Sequence, residues 1–124
     1  MQFSNAVQSN LEAFASNMKM PFTPQQDGSL SFLLSESGEL TFTPVNQGHS
    51  LVVSLGRAAT SHSMNRNEAF LRKAGFRPEL GNNLHAARSK DGMAHLAVSY
   101  NAVQLSPALL EQTVDFLIAE MDKL

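Results

Sequence analysis

Four histidines, His49, His62, His85 and His95, are the first residues to weigh for chemistry, as metal ligands or as acid–base groups. None stands four residues from a second ligand in a helical stretch, the spacing that brings two ligands to one face. They read as surface or strand-face histidines. Ser61-His62-Ser63 places a hydroxyl beside an imidazole in sequence only, with no nucleophile-elbow pattern around it. The acids are equally scattered. Glu36 and Glu39 flank a turn, Glu68 follows an asparagine that could cap a helix, and Glu111, Asp115, Glu120 and Asp122 fall in the last helical stretch. No two of them are selected as a paired acid and base. Neither the phosphate-loop nor the dinucleotide fingerprint is present, and the glycines mark turns instead.

Composition narrows the classes further. The chain has 124 residues, 43% of them hydrophobic and 16% charged, which suits one folded domain over residues 1–124. A net charge of −2 gives no basic excess for neutralising phosphates, so nucleic acid is a poor partner. Arg57, Arg66, Arg72, Lys73, Arg77, Arg88 and Lys90 gather mid-chain, where helix ends and turns account for them. The chain has no cysteine, hence no disulfide or thiolate chemistry, in keeping with a reducing compartment. Met1-Gln2-Phe3-Ser4-Asn5 has neither a basic segment nor a long apolar run, so no signal peptide and no membrane insertion are expected. No metal or cofactor is implied.

The elements that would position any site can be read in order. Phe3, Val7, Leu11, Phe14 and Met18 share one stripe of an amphipathic helix, stopped by Pro21 and Pro24. Gly28, Gly38 and Gly48 then punctuate a meander whose apolar residues alternate as Leu30/Phe32/Leu34, Leu40/Phe42 and Leu51/Val53/Leu55. Pro44 suggests a sheet edge or a strand end. Asn65 to Glu68 resembles a capping box for a second helix through Phe70, Leu71 and Ala74. Gly75 and Phe76 would close that helix as a Schellman motif. A hairpin follows, Leu84 to Arg88 and Met93 to Tyr100, turned by Ser89-Lys90-Asp91-Gly92. Leu105-Ser106-Pro107 opens the last helix, whose seam of Leu110, Val114, Leu117, Met121 and Leu124 is widened by Leu109, Phe116 and Ile118. The expected fold is a single α+β domain of order α-β-β-β-α-β-β-α, an antiparallel sheet with helices packed on it. Six methionines add adaptable apolar surface.

That order, with the helix from Phe3 to Met18, the strands ending in Leu51-Val52-Val53-Ser54-Leu55-Gly56, the hairpin through Met93 to Tyr100 and the broad final helix, resembles the class I type III secretion chaperones, the Tir-chaperone-like family. The resemblance implies a homodimer in the bacterial cytoplasm. It binds the N-terminal segment of a secreted effector and keeps it extended, without ATP, cofactor or catalysis. It further implies an effector surface on Val7, Leu11, Phe14, Met18, Phe32, Leu34 and Phe42, and a dimer interface on Phe70, Leu71, Ala74, Phe76 and Leu84. The chain is only mildly acidic where many members are strongly so. A dimeric cytosolic adaptor on the same fold is the alternative, and a small α+β ligand-binding protein or enzyme is a more remote one. A stripe that binds would tolerate Leu11→Asp or Phe14→Asp in folding while losing its partner, whereas a core stripe would unfold.

Overall fold

The computed structural model describes residues 2–58, 64–89 and 92–123, without the side chains of 64–67. In chain order the elements are α1 (Asn5–Asn17), β1 (Leu30–Leu34), β2 (Gly38–Val45), β3 (Ser50–Ala58), α2 (Met64–Leu71), β4 (Gly75–Arg77), β5 (Asn82–Arg88), β6 (Met93–Asn101) and α3 (Pro107–Asp122). The strands form one antiparallel sheet in the order β1-β2-β3-β6-β5-β4. This is the expected α+β architecture with one strand more than the sequence suggests.

The extra strand is β4, which lies where a Schellman closure of α2 was expected. Gly75 takes φ +136°, an extended mirror conformation rather than a helix cap. Residues Gly75–Arg77 pair with Leu84, Asn83 and Asn82, so ladder bonds to β5 replace a local cap. The end of α2 is closed otherwise: Arg77 donates to the carbonyl of Lys73 at 2.9 Å, and its guanidinium lies 5.9 Å from the Phe116 ring. Phe76 therefore stands exposed on a strand instead of folding back on Leu71. Because α2 begins at Met64, Asn65 falls within its first turn and not at the cap. Pro44 stands next to the end of the interior strand β2, which fits the strand-end reading and not the edge one. β1 ends opposite Phe42, and Pro44 lies beyond it, where a missing donor breaks no β1 bond.

Sequence periodicity becomes two unlike sheet faces. One cross-strand row runs Leu30, Phe42, Val53, Val98, Leu84, and the next Phe32, Leu40, Leu55, Leu96, Ala86. All of these are buried except Ala86, which is half-buried. Both α1 and α3 cover this face and touch each other there. The opposite face carries Leu33, Glu39, Gly56, His95 and Ala87 in one row, and Ser31, Thr41, Ser54, Ala97 and His85 in the next. Among the described residues, no helix covers those rows.

Local chemistry fixes the helix ends that make this cover. Ser4 caps α1 by accepting from the Val7 amide at 3.4 Å, while its own amide donates to Gly48 at 2.9 Å. At Gly48, with φ +85°, an added Cβ would collide with the backbone of Gln2 and Ser4, so only glycine lets the N-terminal segment lie this close. Ser106 caps α3 by accepting from Leu109 at 3.0 Å, Pro107 takes the first position, and both Leu105 and Leu110 are buried, as the sequence indicates. Tyr100 on β6 reaches Thr113 on α3 at 2.8 Å. The Thr113 hydroxyl already donates to Leu109 at 2.7 Å, so the phenol is the donor in the first bond.

Candidate functional site

Burial redistributes the residues that the sequence reading assigned to binding. Val7, Leu11, Phe14 and Phe42 have no exposed surface, and Phe32 keeps 9%. Phe14 meets Phe42 edge-on at 5.4 Å and Phe42 meets Phe32 at 6.1 Å, an aromatic chain joining α1 to β2 and β1. Val7, Leu11, Phe14 and Phe42, expected as a surface for a partner, lie in the single chain within the core between helix and sheet. The reason is energetic: each large side chain gains roughly 1.5–3 kcal/mol when covered, and α1 is the element available to cover β1 and β2. Met18, at 38% exposure, and half-buried Leu34 retain accessible surface.

The expected dimer residues divide in the same way. Phe70 and Leu84, expected at the interface, are interior in the single chain. Leu71, Ala74 and Phe76 are exposed, Phe76 at 64%. They flank the outermost strand, β4, whose outer side pairs with no other strand in the sheet. At the opposite edge, β1 presents Leu33 with 85% of its surface exposed. Sequence reasoning passed over Leu33 because it stands out of phase with Leu30, Phe32 and Leu34. That misplaced phase was itself the available signal of an apolar side chain on the uncovered face.

Charged groups serve the scaffold in two clusters. Glu120, nearly buried on α3, accepts from Lys73 Nζ and from Lys123 Nζ, each at 3.1 Å, which ties the end of α2 to α3. Burial raises the pKa of Glu120, but the two lysine hydrogen bonds outweigh it and hold the carboxyl below its usual range. Arg57 pairs with Asp122 at 2.8 Å and donates to the Ser37 carbonyl at 2.9 Å, anchoring the far end of α3 to the β1–β2 turn. Arg72 faces Glu68 at 3.9 Å. Arg72 and Lys73 stand at the end of α2, as expected, whereas Arg57, Arg77 and Arg88 lie on β3, β4 and β5.

One shallow cleft among the described residues brings polar side chains together. It encloses about 160 Å³ on the uncovered sheet face, lined by Glu39, Thr41, Ser54, Gly56, Met93 and His95. His49 lies in the turn after β2 and His85 on β5, away from that lining, while His62 and its neighbours Ser61 and Ser63 lie outside the described residues. Among the described residues, no three His, Asp or Glu side chains converge as a metal site. No helix among them is long and apolar enough to cross a membrane.

The same arrangement of helices and sheet occurs in solved secretion chaperones. The Yersinia pestis type III secretion chaperone SycH, solved with a stable fragment of YscM2, matches with a TM-score of 0.74 at 20% identity, over 94% of this chain and 97% of that one. The HopA1–SchA chaperone–effector complex matches at 0.73 and 17% identity, over 95% and 91% of the two chains. The Pseudomonas aeruginosa ExoT–SpcS complex matches at 0.72 and 10%, over 98% and 99%. No curated protein sequence matches the chain. The family is nevertheless established at sequence level: residues 9–124 match the model of the Tir chaperone protein (CesT) family, and the chain belongs to it.

Proposed function

We propose that this chain is a type III secretion chaperone of the bacterial cytoplasm, a homodimer that holds the N-terminal segment of a secreted effector extended and ready for export. No nucleotide, cofactor or catalytic step enters this reading. The observation that carries it is the family match over residues 9–124. The solved relatives with the same fold, captured with a YscM2 fragment, HopA1 and ExoT, support it.

The exposed surface suits such a task. A disordered effector segment must gain enough contact to offset roughly 2–5 kcal/mol of ordering. Edge strands supply backbone hydrogen bonds without demanding a sequence, and nearby apolar side chains add burial. On this reading the β1 edge with Leu33, Leu34 and the rim of Phe32, together with Met18, receives the effector. Leu71, Ala74 and Phe76 beside β4 meet the second protomer.

Co-expression with the products of adjacent genes, followed by sizing, tests the proposal. A complex of two chaperone chains with one effector is expected. Phe76→Asp should give a folded monomer, because the side chain is exposed in the single chain and its loss costs the core nothing. An isolated chain that is monomeric at every concentration, or a capture that needs no sheet edge, defeats the reading. An adaptor whose partner is never exported would form a comparable complex with a partner that stays in the cytosol.

A further inference from the structure

The cleft on the uncovered sheet face is built around a missing side chain. Glu39, Gly56 and His95 are direct cross-strand neighbours on β2, β3 and β6. With strands about 4.8 Å apart, Glu39 and His95 stand on Cα atoms roughly 10 Å from each other, and Gly56 between them projects nothing. The His95 imidazole takes up that place and buries Gly56: a Cβ on Gly56 would lie 2.9 Å from both Cε1 and Nδ1 of that ring. An imidazole thus forms one wall, a carboxylate the other, and the Ser54 and Thr41 hydroxyls border the gap.

The charge on this face is one-sided. Arg57 and Arg88 are both paired across strands with buried Ala94, and Arg77 reaches Phe116 on α3, so every arginine of the six strands lies on the helix-covered side. The strands contain no lysine in their described spans. Glu39 makes no ion pair among the described residues, whereas Glu68, Glu120 and Asp122 all do. An exposed carboxylate that shares a cleft with a flat aromatic ring and two hydroxyls, and that pairs with no cation among the described residues, has the recognition chemistry of a guanidinium. Such a group forks onto a carboxylate while stacking its plane on a ring, which a lysine ammonium cannot do.

We propose that the Glu39–Gly56–His95 notch is a specificity pocket for one arginine side chain of the bound segment, with an apolar residue of the same segment covering Leu33 at the end of the same cross-strand row. The inference rests on the chaperone reading for its occupant, a segment of a partner protein. It adds a charge rule to a surface otherwise read by edge bonding and apolar contact. A side chain at 56 would collide with the His95 ring, so glycine there is what lets the imidazole lie over β3.

Peptides on one frame, Ac-Leu-Thr-Xaa-Thr-Leu-NH2 with Xaa as Arg, Gln or Glu, provide the probe, titrated into the ¹⁵N-labelled full chain. The Arg peptide is expected to shift the Ser54, Gly56 and His95 amides and to bind about three- to five-fold tighter than the Gln peptide, the size of an exposed ion pair. The Glu peptide should be weakest. The preference should vanish in Glu39→Gln, survive Glu36→Gln in the adjacent turn, and fade at about 1 M salt, where screening acts within about 3 Å. Equal affinity for Arg and Gln peptides, a preference that outlasts Glu39→Gln, or no shift in the cleft with peptide on the order of 10 mM overturns the notch. Loss of the preference beside an intact co-purified complex refutes the notch alone. A preference seen without any co-purified partner refutes the chaperone reading alone.

Discussion

Replacing Phe14 by alanine decides whether α1 is scaffold or binding surface. The ring has no exposed area and meets Phe42 edge-on at 5.4 Å, between the helix and the second strand. Its removal forfeits the transfer energy of the ring and leaves a cavity that the rigid aromatic neighbours cannot close, a combined cost of about 3–5 kcal/mol. For a domain of this size, at roughly 4 °C for each kcal/mol, the midpoint of thermal unfolding should fall by about 12–20 °C. Thermal and urea unfolding followed by circular dichroism measures both quantities. Met18→Ala, one turn further along and 38% exposed, is the matched control and should stay within about 0.5 kcal/mol of the parent. The reasoning is refuted if Phe14→Ala loses less than about 1 kcal/mol with an unchanged urea slope while partner capture collapses. That pattern would mean that α1 leaves the sheet and offers its apolar stripe to the partner.

Three further outcomes follow from the same packing. Glu120→Gln should lower stability at pH 7 by about 1–3 kcal/mol, since its hydrogen bonds to Lys73 and Lys123 are charge-assisted. The folded pKa of Glu120 is depressed, so its contribution is present above the ordinary carboxylate pKa and is lost as the pH falls through the folded value. The gap between parent and variant should therefore close on acidification, and a gap that is constant from pH 7 to about 3 rules the ion pairs out as its cause. Gln47 holds φ +57° inside the left-handed turn after β2, and Gln47→Gly should stabilise the fold by up to about 1 kcal/mol in urea titration; a loss would show that the Gln47 side chain makes a compensating contact. Tyr100→Phe should cost about 1 kcal/mol and Thr113→Val more, because only the second leaves a buried phenol donor without its acceptor. The reverse order would contradict the assigned direction of that bond.

Much of the scaffold was legible because it is written locally. The cap, proline and leucine staple at Leu105-Ser106-Pro107 are adjacent in sequence and act within one turn, so the start of α3 needed no tertiary information. The alternation in Met93 to Tyr100 likewise announced which residues face the helices, and Ala94, Leu96, Val98 and Tyr100 are all buried. What depended on partners far along the chain was not legible. β4 exists because β5 offers an edge to Gly75–Arg77, and no propensity in Gly-Phe-Arg announces that pairing. An amphipathic stripe such as Val7, Leu11 and Phe14 looks the same whether it covers its own sheet or waits for a partner, and the outcome was set by where α3 left room. The notch was out of reach for the same reason: Glu39, Gly56 and His95 become neighbours only through a register that joins residues far apart in the chain.

The breadth of the α3 stripe now has a cause that bears on function. Leu110, Val114, Leu117 and Met121 are buried, and Leu109, Phe116 and Ile118 pack against the same core, because α3 packs on both the sheet and the neighbouring α1. Neither long helix keeps an unused apolar stripe, and the large apolar side chains that remain exposed, Met18, Leu33, Leu71, Phe76 and Val103, sit at element ends, turns and sheet edges. Soluble sheets ordinarily guard such edges with lysine, proline or a bulge. The first strand, Leu-Ser-Phe-Leu-Leu, carries none of the charges or prolines that serve as guards, and its outward Leu33 is 85% exposed. An edge left so open is a liability for a chain that acts alone and an asset for one that must accept an extended segment, and the family to which the chain belongs favours the second.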